Sequence, residues 1–220
     1  TYILSRYRQY IPGKLTDGKL ILEQAAGNVE GSEITNKLGQ IVGAEISAPE
    51  KFNSYDMLPI ERIARAIGVK TIQIHKGMYS PKVVSVGLPF ALAKVKSLSV
   101  LSGCKANISE FEYLDKHFKY TADGFSVLAY SDDTEQVKGF DLSVRARVFC
   151  PLMGIEEDPA TGSACAALAG FLLSVAEKGV RNITICIMQG VEIGRASEIH
   201  VKALKDKNQK ITVKIGGKCI

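Results

Sequence analysis

The sequence lacks any apolar run long enough to cross a membrane. A transmembrane helix needs ~18 or more consecutive apolar residues, and no run of that length occurs among the 220 residues. The first residues also lack the basic-then-apolar pattern of a secretory leader. These two absences predict a cytoplasmic protein with no membrane partner.

Positive charge is present but not concentrated in one place. The net charge is +5, and the lysines are spread along the chain. The densest basic stretch, "VKALKDKNQK" at residues 201–210, favours a solvated hairpin over a phosphate-binding surface. We therefore expect no nucleic-acid partner, although a mild positive field would help to capture an anionic small molecule.

Paired or clustered metal ligands are also missing from the sequence. Its five cysteines form an odd, widely spaced set without a CxxC motif: Cys104, Cys150, Cys165, Cys186 and Cys219. Its three histidines, His75, His117 and His200, are isolated from one another. This pattern favours neither a disulfide framework nor a zinc site, and we expect no metal.

What the sequence does contain is many short strand-like runs and few long helices. With 46% hydrophobic and 23% charged residues, the composition is that of a globular protein. Strand patterns are found in "KLILEQ", "QIVGAEIS", "TIQIH", "KVVSVG", "FALAKV", "FSVLAYS", "DLSVRARVF", "ITICIMQ", "SEIHVKAL" and "ITVKIGG". Helical patterns are found in "LPIERIARAIGV" and near residues 97–102 and 109–117. Strands joined by short turns predict an α+β fold with a mostly antiparallel sheet.

A change in pattern near residue 50 suggests a domain boundary. The hydrophobic pattern stops at "APEKFNSY". We expect residues 1–50 to be the remnant of an N-terminal half, joined by the C-terminal strand at 208–220, and residues 51–207 to form a second half. The opening "TYILSRYRQY" has a helical rhythm without a capping residue, as at the end of a helix.

The stretch "GIEEDPATGSACAALAGFLLS" at residues 154–174 is the most unusual part of the sequence. Residues 164–173 are all apolar or glycine, and a helix that is apolar on every side must be enclosed by other elements, here by a curled sheet. Its N-terminus still presents unpaired N–H groups and the positive end of the helix dipole. Thr161, Gly162 and Ser163 at this end form a cradle for a carboxylate or other small anion.

Two interpretations of this helix mouth remain open at the level of the residues. Thr161 or Ser163 could simply cap a structural helix. Capping does not explain the acids Glu156, Glu157 and Asp158 just upstream, which a proton-transfer site would use. The triplet is not a phosphate loop, because it lacks the Lys-Ser/Thr pair of that motif.

Together, these residues resemble the phenazine-biosynthesis PhzF-like isomerases, which have the diaminopimelate epimerase-like fold. The resemblance also covers "VRARVFCP", "VSVGLPFALAKV" and "QGVEIGRAS". It implies two pseudo-symmetric halves, each a curled sheet around a central helix, with the first half incomplete here. It also implies a homodimer that shifts a proton on a small carboxylic acid without a cofactor.

The resemblance implies roles for particular residues. Asp158 would be the acidic partner in the cleft, and Ser163 with the backbone of Gly162 would hold the substrate carboxylate beside Thr161. The family's principal general acid/base is a glutamate of the first half, expected upstream of Thr1. We therefore expect the 220 residues alone to be inactive.

Two other functions remain as alternatives. A cysteine-based racemase or epimerase of the same fold would use thiolates, but Ala160 stands where such a thiol belongs, and Cys165 lies beyond the first helical turn. The second alternative is a non-catalytic protein that has kept only the small-anion cradle.

Overall fold

A computed structural model describes residues 19–24, 27–118, 120 and 124–218, which contain twelve strands and four helices. The strands are β1 (Lys19–Gln24), β2 (Gly27–Thr35), β3 (Ile41–Ser47), β4 (Asn53–Met57), β5 (Lys82–Ser85), β6 (Pro89–Lys94), β7 (Val127–Ser131), β8 (Leu142–Cys150), β9 (Ile155–Asp158), β10 (Asn182–Gln189), β11 (Ser197–Lys205) and β12 (Ile211–Lys218). The helices are α1 (Ile60–Ala66), α2 (Leu98–Ser102), α3 (Ile108–His117) and α4 (Gly162–Ser174). The helix end predicted at "TYILSR" lies outside the described residues.

The strands form one mixed sheet in the order β1-β2-β3-β12-β11-β10-β8-β7-β6-β5-β4, with β9 paired to β8. Two pairs, β8 with β10 and β6 with β7, are parallel, and the other pairs are antiparallel. This arrangement confirms the predicted α+β class. It also confirms the basic hairpin, because β11 and β12 pair on either side of residues 206–210.

Helix α4 lies inside the curve of this sheet. It contacts β5 and β6 as well as β10, β11 and β12. Because β7 and β8 separate these two groups in the strand order, the sheet must curl around the helix. Residues 164–173 are all buried, so the enclosed apolar helix predicted from the sequence is confirmed.

The other face of the strands β5 to β8 packs on the three remaining helices. Ala91, Ala93, Val127 and Phe149 point to this side, where they meet α1, α2 and α3 in a second core. On β8, Val144, Ala146 and Val148 face α4, as their alternation predicts. Arg145 and Arg147 therefore lie on the opposite face.

One strand prediction is wrong. In "TIQIH", residues Thr71–Gln73 form a 3₁₀ turn, and Ile72 is 71% exposed. Only Ile74 makes a bridge, to Val95. The physical reason is that β5 already occupies this edge of β6 along Pro89–Leu92. Only the short stretch after it is left, where the His75 N–H donates to the Lys94 oxygen and the Lys96 N–H donates to the Gln73 oxygen.

The two predicted halves are joined in one sheet, because β12 pairs with β3. The boundary near residue 50 falls between β3 and β4, and the division into 1–50 and 51–207 stays a prediction. Within the described parts of the chain, no helix has both the length and the apolar character required to cross a bilayer.

Candidate functional site

The mouth of α4 is built by a short strand that the sequence did not reveal. Residues 155–158 form β9, which pairs antiparallel with β8 so that Asp158 lies opposite Val148. The turn before it uses Gly154 at φ 80°, a conformation that favours glycine. Strand β9 therefore carries Asp158 to the helix N-terminus.

Because side chains alternate along β9, the neighbouring acids Glu157 and Asp158 point to opposite faces of the sheet. Successive side chains of a strand point to opposite faces. Glu157 points to the α1–α3 side, where its carboxylate pairs with Arg147 at 2.6 and 3.0 Å, both side chains being less than a tenth exposed. Arg147 also donates to the backbone oxygens of Leu101, Ser102 and Cys104. Glu157 is thus a structural ion-pair partner and not an acid of the helix mouth.

Asp158 points to the helix mouth instead and is half-buried there. The Thr161 hydroxyl donates to its Oδ2 at 2.6 Å. No donor among the described residues is bonded to the other oxygen, Oδ1. Glu156 is exposed on the same strand. Of the three acids noted in the sequence, Asp158 alone is fixed beside the start of α4.

Gln189, at the end of β10, fixes the loop between β9 and α4, which runs from Asp158 to Thr161. It is fully buried. Its Nε2 donates to the Asp158 backbone oxygen at 2.6 Å and to Thr161 Oγ1 at 3.0 Å, and its Oε1 accepts from the Thr161 backbone N–H at 3.0 Å. One amide therefore satisfies groups on both Asp158 and Thr161 and fixes their relative positions.

A close backbone contact supports the same loop. Gly190 follows Gln189 at φ 74°, and a Cβ there would collide with the backbone oxygens of Arg195 and Pro159. Only glycine permits this approach. The turn after β10 is thereby held directly against the segment between β9 and α4.

The first amides of α4 are left without internal acceptors. Thr161 is the N-cap residue, but its side chain makes no capping hydrogen bond, because its hydroxyl is engaged with Asp158. Within residues 19–24, 27–118, 120 and 124–218, no acceptor is bonded to the N–H groups of Gly162 or Ser163. The helix dipole adds a favourable potential for an anion at this end. These two N–H groups are therefore left as donors that face the mouth of α4.

The thiols near this site are poorly suited to proton transfer. Cys165 is fully buried, and its Sγ donates to Gln189 Oε1 at 3.4 Å. Burial, assisted by the charge of Asp158, raises the pKa of the Cys165 thiol far above its ordinary value. Burial also raises the pKa of Cys150. A thiolate base requires the opposite shift, so the cysteine-based alternative has no support from this geometry.

The predicted residues Asp158, Thr161, Gly162 and Ser163 all meet at the helix mouth. The Thr161 hydroxyl is occupied by Asp158 and Gln189, while the Ser163 side chain is half-buried and makes no hydrogen bond with the described residues. Gln189 was missed as a functional residue. The polar residue ending the apolar run "ITICIMQ" was the available signal, but a strand end is often polar.

Other clusters lie away from this mouth. A groove of about 560 Å³ at the opposite end of α4 is lined by Phe52, Ser174 and Lys205, among others. Among the described residues, one group brings three potential metal-ligand atoms within 4.8 Å of one another, formed by Cys186, Glu198 and His200. It lies on the face of the sheet that points away from α4.

A small-residue helix enclosed by a curled sheet, with its amide groups open at one end beside a fixed carboxylate, places this chain in the diaminopimelate epimerase-like class of α+β proteins. The chain belongs to the phenazine biosynthesis-like protein family, whose model, PhzC-PhzF, matches residues 9–220. This confirms the resemblance found in the sequence.

Relatives of the chain carry isomerase names. An uncharacterized isomerase of Clostridium acetobutylicum is 28% identical over 73% of this chain and 51% of its own length. A trans-2,3-dihydro-3-hydroxyanthranilate isomerase of Pseudomonas chlororaphis is 28% identical over 93% of this chain and 66% of its own length. The chain thus spans between about half and two thirds of these relatives.

Solved structures show the same fold. A Bacillus anthracis phenazine biosynthesis protein of the PhzF family superimposes with a TM-score of 0.79 at 22% identity, covering 99% of this chain and 69% of that one. A predicted epimerase from Pseudomonas aeruginosa gives a TM-score of 0.68 at 22% identity, with 99% and 67% coverage.

Proposed function

We propose that this chain carries the carboxylate-binding half of a cofactor-independent isomerase or epimerase that shifts a proton on a small carboxylic acid. The proposal rests on one observation above all, the unpaired amides of Gly162 and Ser163 beside the fixed Asp158. Two relatives are named for an isomerisation of a hydroxyanthranilate derivative, which is a carboxylic acid of this class.

Each residue of the mouth has a role in this proposal. The N–H groups of Gly162 and Ser163 bind the substrate carboxylate, and the Ser163 hydroxyl is free to add a further hydrogen bond. Asp158 presents Oδ1 to the substrate as the proton-transferring or orienting carboxylate, because Thr161 holds Oδ2. Thr161 and Gln189 are positioning residues, since they act through Asp158.

A proton shift between two carbons needs a second group on the correct face of the substrate. By its family resemblance, that group is a glutamate of the N-terminal half, expected upstream of Thr1. We therefore expect the 220 residues alone to be inactive and a chain extended to include that glutamate to be active. The homodimer and the cytoplasmic location inferred from the sequence likewise stay predictions.

The test is deuterium incorporation from D₂O into a panel of small carboxylic acids, including trans-2,3-dihydro-3-hydroxyanthranilate, catalysed by the complete gene product. Asp158→Asn should lower turnover ~10²–10⁴-fold, the usual contribution of a positioned acid or base. Glu156→Gln is the matched control, because Glu156 is an exposed acid on the same strand. Equal turnover in both variants would remove Asp158 from the mechanism.

The non-catalytic alternative makes a different prediction for the same assay. A protein that only binds small anions would bind the carboxylates at the mouth of α4 but would catalyse no deuterium exchange, even with the upstream glutamate present. Exchange into any of the acids, lost in Asp158→Asn, would instead support the isomerase.

A further inference from the structure

A second group of reactive side chains lies on the outer face of β10 and β11. Cys186 and His200 are directly opposite each other across this antiparallel pair. Glu198 is two residues before His200 and so shares its face. The ligand atoms of the three side chains all lie within 4.8 Å of one another.

This group is separate from the mouth of α4. Ile185 and Ile187, the neighbours of Cys186 on β10, point inward and pack in the core around the helix. Cys186 must therefore point to the other side of the sheet. Whatever this cluster binds does not touch Asp158 or the helix amides.

We propose that Cys186, Glu198 and His200 form a binding site for a divalent transition-metal ion such as Zn²⁺. Thiolate, imidazole and carboxylate are all preferred zinc ligands, and three protein ligands leave a fourth position for water. The thiolate and carboxylate together carry two negative charges, which a divalent cation neutralises. The sequence did not suggest this site, because its ligands come from two paired strands and have no short motif spacing.

The distances are close to those that coordination requires. Glu198 Oε1 and His200 Nε2 are 2.6 Å apart. Around a tetrahedral zinc ion with bonds of about 2.0 Å to nitrogen and oxygen and 2.3 Å to sulfur, neighbouring ligand atoms are about 3.3–3.6 Å apart. The His200 and Glu198 side chains are 25% and 47% exposed, so they have room to move apart to such spacings around an ion.

The residues around the cluster would restrain its ligands and still leave space for an ion. The ring of Phe140 packs against His200 with centroids 4.7 Å apart, which restrains the imidazole. On β12, the residue paired with His200 is Gly216, which has no side chain to crowd the imidazole. Cys186 is fully buried and free of any disulfide. Burial raises the pKa of its thiol to about 11, so metal binding must release a proton.

The experiment uses Co²⁺ as a spectroscopic probe for Zn²⁺. The 220-residue chain, prepared free of metal and under reducing conditions, is titrated with Co²⁺. We expect a thiolate-to-cobalt charge-transfer band that saturates at one ion per chain and disappears on addition of Zn²⁺. Cys186→Ser should abolish the band, whereas Cys104→Ser, which removes another buried thiol, should leave it unchanged.

Variants at the two less buried ligands, Glu198 and His200, test the site even if the cysteine variant fails to fold. Glu198→Gln changes an exposed side chain and should weaken Co²⁺ affinity at least ~10-fold, as loss of a ligand or its support typically does. His200→Ala should do the same, while His117→Ala, at an exposed histidine on α3, should not. Absence of a saturable band in the unaltered chain, or a band that persists in Cys186→Ser, would overturn the proposal.

Discussion

Replacing Gln189 with methionine tests how the helix mouth is held together. Methionine has nearly the same length and shape, so the change removes the hydrogen bonds of the amide without leaving a large cavity. The Thr161 N–H and the Asp158 backbone oxygen then lose the partners that stand at 3.0 and 2.6 Å. A fully buried polar group left without a partner costs about 1–3 kcal/mol. Two groups lose partners here, but both belong to half-buried residues that water can partly reach, so we expect Gln189→Met to lower the free energy of unfolding by about 2–4 kcal/mol.

The same change should reduce activity, because Gln189 also fixes the position of Asp158. A shift of about 1 Å in a catalytic group typically costs ~10²-fold in rate. In the complete gene product, we therefore expect turnover to fall ~10–100-fold, less than for loss of Asp158 itself. If Gln189 acts by positioning Asp158, Gln189→Glu should recover part of the lost turnover at low pH. A protonated carboxyl there again offers one donor and one acceptor.

The assay is urea denaturation followed by circular dichroism, with midpoint and slope fitted for each variant. Gln136→Met is the control, since Gln136 is an exposed glutamine with one long bond to the Phe140 oxygen at 3.4 Å. Surface substitutions of this kind usually change stability by no more than ~0.5 kcal/mol. If Gln189→Met were as stable as Gln136→Met, the buried amide would not be what holds the loop.

Three further outcomes follow from contacts around α4 and β9. Native Cys165 should resist iodoacetamide, because it is buried and its pKa is raised; rapid alkylation that abolishes activity would revive the thiol mechanism. Glu157→Gln should lower the free energy of unfolding by ~3–5 kcal/mol, since it leaves the Arg147 charge buried; calorimetry measures this, and a loss under 1 kcal/mol would contradict it. Gly170→Ala should cost ~1–3 kcal/mol in the same measurement, because its Cβ would lie 2.5 Å from Phe52 Cδ2; a neutral effect would mean that Phe52 moves away freely.

Much of the fold follows from periodicity in the sequence. The uninterrupted small and apolar residues of α4 leave it no solvent face, and that alone predicts a surrounding sheet. Alternation in β8 likewise predicts which side chains face the helix. Strand pairing is a different matter, because it depends on which edges remain free. "TIQIH" has the alternation of a strand, but β5 already occupies the same edge of β6 along Pro89–Leu92, which leaves room for only one bridge, from Ile74 to Val95.

The candidate site was only partly predictable for a related reason. Thr161, Gly162 and Ser163 are adjacent in sequence, so the anion cradle could be inferred from helix physics. Strand β9 has only four residues, two of them exposed, and no apolar alternation marks it. Only the pairing of β9 with β8 therefore reveals that Glu157 pairs with Arg147 while Asp158 faces the helix mouth.

Gln189 was beyond sequence reasoning, because it lies 28 residues from Thr161. Its importance arises from burial and from four simultaneous hydrogen bonds of its side-chain amide, and these exist only in the folded chain. The grouping of Cys186 with His200 has the same origin, since β10 and β11 bring them together across 14 positions of sequence.

The anion-binding role of the α4 mouth is tested most directly by a crystal structure of the protein with a small carboxylate bound. We expect the carboxylate to lie ~2.7–3.1 Å from the backbone nitrogens of Gly162 and Ser163, with Asp158 Oδ1 turned toward the carbon skeleton of the ligand. A ligand bound elsewhere, with both amides closed by acceptors from the protein itself, would contradict it and leave α4 as a capped structural helix.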